Sequence, residues 1–324
     1  MNWSLLHARV HQHLKETQLL PTGQRILVAV SGGQDSLCLG QLLLDLSRRW
    51  QWRLAIAHCN HGWSGDEAIA DHVCRIAVTW QLPFFLCAAE TPIKETEAAA
   101  RQWRYQELGA VAITEQFSIV VTGHTLSDRA ETLLFNLARG SGLGGLGALT
   151  ERRSLTSEVS LVRPLLTVHR DETAAFCTDF NLPIYEDTYN HNLRFSRNRL
   201  RQQVLPELKV INSQAEQHLA QTAIISQAEN DYLEAIAAEH FAKYFAADLS
   251  LQRLPLRQIH PALQRRILKQ YLIQLLPKQP SFQQIEACRK LIYAPNRSQT
   301  SSFSGDIKFI VNAEYIVPLD KMKK

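Results

Sequence analysis

Ile26-Leu27-Val28-Ala29-Val30-Ser31-Gly32-Gly33-Gln34-Asp35-Ser36 decides how this chain is read. The first five residues form an apolar, β-branched run that suits a buried strand. Leu37, Leu39, Leu42, Leu43 and Leu46 then follow in a helical pattern. Strand, Gly-rich turn and helix start bring backbone N–H groups and the positive end of a helix dipole to one spot, which makes an anion site. Gly32 and Gly33 clear side chains from the path of a phosphate. Ser31 and Ser36 add hydroxyl donors. Asp35 repels a bare phosphate, so its expected work is to hold Mg²⁺ against one. A plain strand-to-helix turn would share this outline.

Working outward, residues 1–22 predict a short amphipathic helix ending near Pro21. Leu54–His58 is a second strand, followed by Cys59-Asn60-His61-Gly62. A helix is expected over roughly 66–81, a third strand at Phe84–Cys87 and a helix from Glu97 to Gln116. Ser118–His124 is a fourth strand, with a long helix from Asp128 to about Arg139. This alternation implies βαβ units, an α/β fold with a parallel, Rossmann-like sheet. Polar residues stand at each strand end, where open α/β sheets bind ligands. Five of the fourteen glycines fall between Gly140 and Gly147, which reads as a mobile loop. The pattern changes after Pro206. Gln214–Phe245 reads as one long helix, shorter helices follow at about 256–276 and 281–293, and Ile307–Val317 alternates like a hairpin. The expected organisation is a catalytic domain over 1–205, a connecting long helix over 206–245 and a smaller, mainly helical basic domain over 246–324.

The 324 residues are 45% hydrophobic and 20% charged, a composition suited to one large or two modest globular domains. No apolar run is long enough to span a membrane, and Met1–Leu5 has neither a basic flank nor a signal core, so a cytoplasmic protein is expected. Six cysteines at 38, 59, 74, 87, 177 and 288 form no Cys-x-x-Cys, which argues against a disulfide framework or an iron–sulfur site. Charge is uneven. Residues 1–205 are balanced, whereas 246–324 carry 13 Lys and Arg against 5 Asp and Glu. That tail suits a polyanionic partner or a solvated basic face.

Asp128 and Glu131 share a helix face three residues apart, with Ser127 as the expected N-cap. They would bind a cationic substrate, or simply favour a helix N-terminus through its dipole. Arg101 and Arg104 share another face and could clamp phosphates. Arg194, Arg197, Arg199 and Arg201 fall within eight residues with no acid among them, a pattern that asks for an anion such as nucleic acid. His58, His61 and His124 have no metal spacing and read as hydrogen-bonding or base-stacking groups.

Ser31-Gly32-Gly33-Gln34-Asp35-Ser36 resembles the PP-loop of the N-type ATP pyrophosphatases and differs from the Gly-x-x-x-x-Gly-Lys loop, since no such Lys follows. Further segments extend the resemblance through residues 26–206 to the tRNA(Ile)-lysidine synthetase family. They are Ala57–Gly62; Glu97 with Ala100-Arg101 and Arg104-Tyr105; Thr122–His124 through Asp128 and Glu131-Thr132; Arg139-Gly140-Ser141-Gly142; Arg163-Pro164-Leu165; Glu186-Asp187 with Asn190; and Arg197–Arg201 with Leu205-Pro206. Two departures stand out. Ser127 replaces one of the usual paired Asp residues, and Trp63-Ser64 follows His-Gly where an Arg is common.

The resemblance implies an ATP-dependent ligase. ATP would adenylylate the wobble cytidine of the CAU-anticodon isoleucine tRNA, and L-lysine would displace AMP to give lysidine. It implies ATP and Mg²⁺ at Ser31, Gly32, Gly33, Gln34, Asp35 and Ser36, with His58 and Arg104 beside them. Asp35, Arg101, Asp128 and Glu131 would be catalytic, and Arg194, Arg197, Arg199 and Arg201 would grip tRNA. These motifs do not specify an oligomeric state. The competing readings are a tRNA-thiolating relative, which would use catalytic cysteines or a cluster, an amidotransferase synthetase, which would need an ammonia source, and a non-catalytic tRNA binder.

Overall fold

Near-continuous apolar strands need cover on both faces, and helices supply it. The computed structural model describes residues 3–147, 149–186, 189 and 192–319. Asp187 and Asn190, quoted above, lie outside the described residues. The first elements are α1 (Leu5–Thr17), β1 (Arg25–Ala29), α2 (Gln34–Trp50), β2 (Arg53–Asn60), α3 (Asp66–Thr79), β3 (Phe84–Ala88), α4 (Glu97–Thr114), β4 (Ile119–Thr122) and α5 (Leu126–Ala138). A short α6 (Leu143–Leu146), β5 (Arg152–Ser154), β6 (Ser160–Val162) and α7 (Arg170–Asp179) follow. Among the described residues the main sheet has six strands in the order β3-β2-β1-β4-β6-β5, parallel except for the β5–β6 edge.

Alternation along each strand divides the core. Ile26, Val28, Leu54, Ile56, Ile119 and Val121 face one layer with α2 and α3 residues such as Leu39, Leu43 and Val73. Leu27, Ala55, Ala57 and Val120 face the other with Leu108 and Ala112 of α4. The strand order reverses between β1 and β4, so the loops leaving these two strands open a crevice at their carboxyl ends.

The glycine-rich stretch holds a helical turn, α6, where a mobile loop was expected, and Asn136 Nδ2 donates to the Gly145 carbonyl at 2.6 Å. The expected N-cap of α5 also needs correcting. Thr125 is the cap, the helix starts at Leu126, and Asp128 completes a capping box by accepting from the Thr125 N–H at 2.8 Å. Ser127 lies inside the first turn.

Beyond α7 the chain forms α8 (Ser196–Arg199), a π-helical turn (Leu200–Val204), α9 (Leu205–Ile211) and α10 (Ala215–Tyr244). Residues up to Gln227 form one compact unit and those from Ala228 another. The first half of α10 therefore packs with the sheet unit, burying Ala220 and Ala223, while the second half buries Ala237 in a separate core. That second unit adds β7 (Leu251–Gln252), α11 (Pro261–Leu275), α12 (Phe282–Leu291), β8 (Lys308–Asn312) and β9 (Tyr315–Leu319). Its strands form a three-stranded sheet in the order β7-β9-β8, so the hairpin gains a third strand. Part of its positive charge points inward. Arg253 is buried and donates to the carbonyls of Ala313 and Ala294 at 3.0 and 2.6 Å.

Glu216, in the first turn of α10, is a buried carboxylate that ties this region together. It pairs with Lys209 of α9, accepts from Ser127 of α5, and lies 4.0 Å from His169 Nδ1. Burial acts to raise its pKa, but Lys209 and Ser127 outweigh it and hold the carboxyl below the usual range. A depressed folded pKa stabilises above the unfolded value near ~4.3 and loses that contribution as pH falls through the folded value. Glu216→Gln is therefore expected to cost about 1–3 kcal/mol in urea unfolding at neutral pH, with the gap from the parent protein closing in acid.

Candidate active site

The turn between β1 and α2 has the geometry that its sequence suggests. Gly32 sits at φ +87°, a conformation that favours glycine, and its carbonyl accepts from the Tyr185 N–H at 2.9 Å. Gly33 is the N-cap of α2, with no side chain satisfying the first-turn amides. Its φ of −82° needs no glycine, and a Cβ there would meet nothing nearer than Ser31 Oγ at 3.8 Å. The missing side chain leaves open space over the helix N-terminus, where an anion would sit. Ser36 was expected to donate to phosphate. Instead its hydroxyl staples the loop, donating to the Gly33 carbonyl at 2.9 Å and accepting from the Ser31 N–H at 3.1 Å. Ser31 remains exposed.

The loop after β4 presses directly on this turn. A Cβ on Gly123 would lie 2.7 Å from the Asp35 carbonyl oxygen and 2.9 Å from the Ser36 nitrogen. The start of α7 closes another side. Gln34 Nε2 donates to the Arg170 carbonyl at 2.9 Å and to Thr173 Oγ1 at 3.1 Å. Thr173 donates to the Asp35 carboxylate, and Arg170 stands 3.5 Å from its second oxygen. Burial pushes the Asp35 carboxyl up, with Arg170 opposing. Arg170 and Thr173 were missed in the sequence. A signal was present, because an Arg opening a helix opposes the macrodipole and asks for a nearby anion.

Asp128 and Glu131 do share a face, and Arg201 of the π-helical turn meets both. It donates from Nε to Glu131 Oε1 at 2.6 Å, from Nη2 to Oε2 at 2.9 Å, and lies 3.4 Å from Asp128 Oδ1. Glu131 is 1% exposed. Burial pushes its carboxyl up, with Arg201 opposing. Burial would raise Asp128 too, but His124, Arg201 and the Thr125 N–H outweigh it and hold it below the usual carboxylate range. Burial pushes the His124 imidazole down, with Asp128 opposing, and its Nδ1 shares a hydrogen bond with Thr122 Oγ1 at 2.8 Å. Arg101, Arg163 and Arg197 all lie close enough to act on His124.

The arginine cluster is thus not free of acids. Arg201 belongs to the acid pair, Arg197 stands 3.8 Å from Glu97, and Arg194 and Arg199 are exposed. Arg101 lies over the Tyr105 ring at 4.9 Å, and Arg153 lies 4.7 Å from the same ring. Arg104 Nη2 reaches His61 Nε2 at 3.4 Å. His58 is buried, and its Nδ1–H donates to the Val30 carbonyl at 2.8 Å, so it braces the end of β1 beneath the phosphate loop. Among the described residues no group of three His, Cys, Asp or Glu could hold a metal ion, and no helix is long and apolar enough to cross a membrane.

Known families and proteins match this chain along most of its length. Residues 6–208 match the family described as PP-loop domain, and residues 251–304 match the one described as TilS substrate binding domain. The tRNA(Ile)-lysidine synthase of Synechocystis sp. is 49% identical over 313 residues, spanning 94% of each chain. That of Nostoc sp. is 46% identical over 334 residues, spanning 98% of this chain and 97% of the relative. Among solved structures, the U34-tRNA thiolase NcsA from Methanococcus maripaludis superposes with a TM-score of 0.56 at 17% identity, covering 67% of this chain and 76% of the thiolase. That likeness speaks for the fold alone. With a PP-loop domain matched over residues 6–208 and relatives 46–49% identical along nearly its whole length, the chain belongs to the tRNA(Ile)-lysidine synthase family.

Proposed function

We propose that this protein joins L-lysine to C2 of the wobble cytidine in CAU-anticodon isoleucine tRNA, using ATP and releasing AMP and pyrophosphate. The carrying observation is the acid pair beside the phosphate loop. Two carboxylates, Asp128 and Glu131, face one guanidinium, that of Arg201. One negative charge is left over for a single ammonium.

A ring carbonyl oxygen is a poor leaving group. Attack by the C2 oxygen on the ATP α-phosphorus expels pyrophosphate and makes that oxygen one of the two ester oxygens of an adenylyl phosphodiester. The lysine ε-amine then attacks C2, and AMP departs with the former C2 oxygen. The first-turn amides of α2 and Ser31 hold the phosphates, and Arg101 steadies the α-phosphate. Lysine arrives with an amine pKa near ~10.4, so its reactive form is scarce at neutral pH. Asp128, kept ionised by its neighbours, holds the ammonium and takes its proton as the bond to C2 forms.

The donors at Asp35 suit Mg²⁺ that arrives on the nucleotide. One desolvated carboxylate stands at the helix N-terminus, and Mg²⁺ commonly binds through one or two carboxylates together with substrate phosphates. When bound, Mg²⁺ supplies charge neutralisation for the departing pyrophosphate. Arg194, Arg199 and the basic second unit are the cations we assign to tRNA, and a cytoplasmic location follows from that substrate.

The thiolase reading finds no support in the thiol that contacts this loop. Cys177 is the thiol at the phosphate loop, donating to the Gln34 carbonyl at 3.3 Å, and burial pushes it up to about 12. Such a thiol stays protonated and unreactive.

Labelled lysine, offered with ATP, Mg²⁺ and a CAU-anticodon isoleucine tRNA transcript, tests the proposal. Incorporation should require ATP and the wobble cytidine. Incorporation into a wobble-base mutant would contradict it, as would ATP-independent labelling.

A further inference from the structure

Five rings make a continuous series outside both apolar layers of the sheet unit. His61 stacks on Trp63 with centroids 5.0 Å apart and planes at 27°, and meets Trp103 at 5.2 Å. Trp63 meets Tyr189 at 5.3 Å, and Tyr189 meets Phe195 at 6.4 Å. All five residues are half-buried. Large rings contribute most to a fold when fully covered, so a run of them left partly in water suggests a partner.

The His61–Trp63 end of the run is held by hydrogen bonds. The Asp66 carboxylate accepts from the His61 and Trp63 N–H groups at 2.9 and 3.1 Å. The Trp63 indole N–H donates to the Ile93 carbonyl at 2.7 Å. Arg104 donates to His61 Nε2, which leaves the ring proton on Nδ1, 3.7 Å from Asp66. Burial, with Arg104 and His58 beside it, pushes the imidazole down to about 4, so this ring is neutral at physiological pH. Preorganised faces of this kind bind with little ordering cost.

Cations flank the run at both ends. Arg104 stands at His61. Exposed Arg194 and Arg199, with half-buried Arg197, surround Phe195 in the chain. The acids here are already engaged, Asp66 by the turn and Glu97 by Arg197. His61 follows β2, whose neighbour β1 leads into the phosphate loop. The ring series therefore begins one strand away from where ATP and the reacting base must meet.

We propose that this ring series is a stacking surface for unpaired RNA bases, namely the anticodon-loop nucleotides next to the reacting cytidine. The inference rests on the lysidine-forming reading above. A base reached by an enzyme must leave its stack, and its neighbours then lose stacking partners. Neutral aromatic faces restore those contacts and flanking arginines meet the backbone phosphates, the usual combination for single strands. A lone nucleotide such as ATP has one base and would not occupy both ends of the series.

The test uses the full-length protein and a labelled anticodon stem-loop of the isoleucine tRNA. Trp63→Leu and Phe195→Leu should each weaken stem-loop binding about tenfold or more, Trp63→Phe should recover most of the loss, and ATP affinity should stay at the parent level. Unchanged stem-loop affinity in both Leu variants would overturn the proposal. A parallel loss of ATP affinity would overturn it too, assigning the rings to the nucleotide or to the fold. If the parent protein incorporates lysine into full tRNA while these variants bind the stem-loop normally, stacking fails and the activity stands. If the parent incorporates no lysine, the underlying reading fails.

Discussion

Asp128→Asn sharply slows lysine transfer while tRNA-dependent pyrophosphate release continues: this is the first expected result. The substitution removes one charge and little else. Asp128 Oδ2 accepts from the Thr125 N–H and from Thr125 Oγ1 at 2.8 and 2.9 Å, and an Asn carbonyl can keep those bonds, so α5 retains its cap. With the charge gone, Glu131 and Arg201 balance each other and no carboxylate is left for an ammonium. Loss of one partner from a desolvated charge pair costs about 2–5 kcal/mol, so kcat/KM for lysine should fall by roughly two orders of magnitude or more. Glu131→Gln is a poorer probe, because Glu131 is 1% exposed and its loss strands the Arg201 fork. A parent-like lysine KM and rate in Asp128→Asn would remove the acid pair from the mechanism.

Gly123→Ala should damage the other half of the chemistry. The added methyl would sit 2.7 Å from one backbone atom of the phosphate loop and 2.9 Å from another, where no flexible side chain can give way. Either the end of β4 retreats or the loop does. Displacement of a reacting group by about 1 Å can cost 10²-fold, and pyrophosphate release should fall on that scale, with a lowered melting temperature. Gly33→Ala is the control. The fold has room for that methyl, so the melting temperature should hold while the KM for ATP rises. Equal behaviour of the two variants would show that contact with β4 does not shape the loop.

What the sequence made legible was local. The phosphate loop is a strand, a turn and a helix start in one stretch, and two glycines in that context have few other uses. The acid pair was legible as one helix face. Its counter-ion was not, because Arg201 lies 70 residues from Glu131 and reaches it only through the π-helical turn. A longer separation hid the pairing of Arg197 with Glu97. The N-cap of α5 was misread because Thr125 and Ser127 are both good caps. Only the observed capping box with Asp128 separates them. Ser36 looked like a phosphate donor because sequence does not say where a hydroxyl points. Ser127 illustrates the same limit. Read as a missing carboxylate, it is a buried hydroxyl that accepts from the Arg170 N–H at 3.2 Å and serves Glu216. The strand order that joins the loops after β1 and β4 depends on pairings no single segment encodes.

The most direct measurement follows the label of α-labelled ATP in a reaction containing tRNA and Mg²⁺ but no lysine. Activation of the base predicts label on the tRNA at the wobble cytidine, with pyrophosphate released, and its discharge as AMP when lysine is added. Label that appears only after lysine is added, and on the amino acid rather than the RNA, would contradict it and place the activated group on lysine.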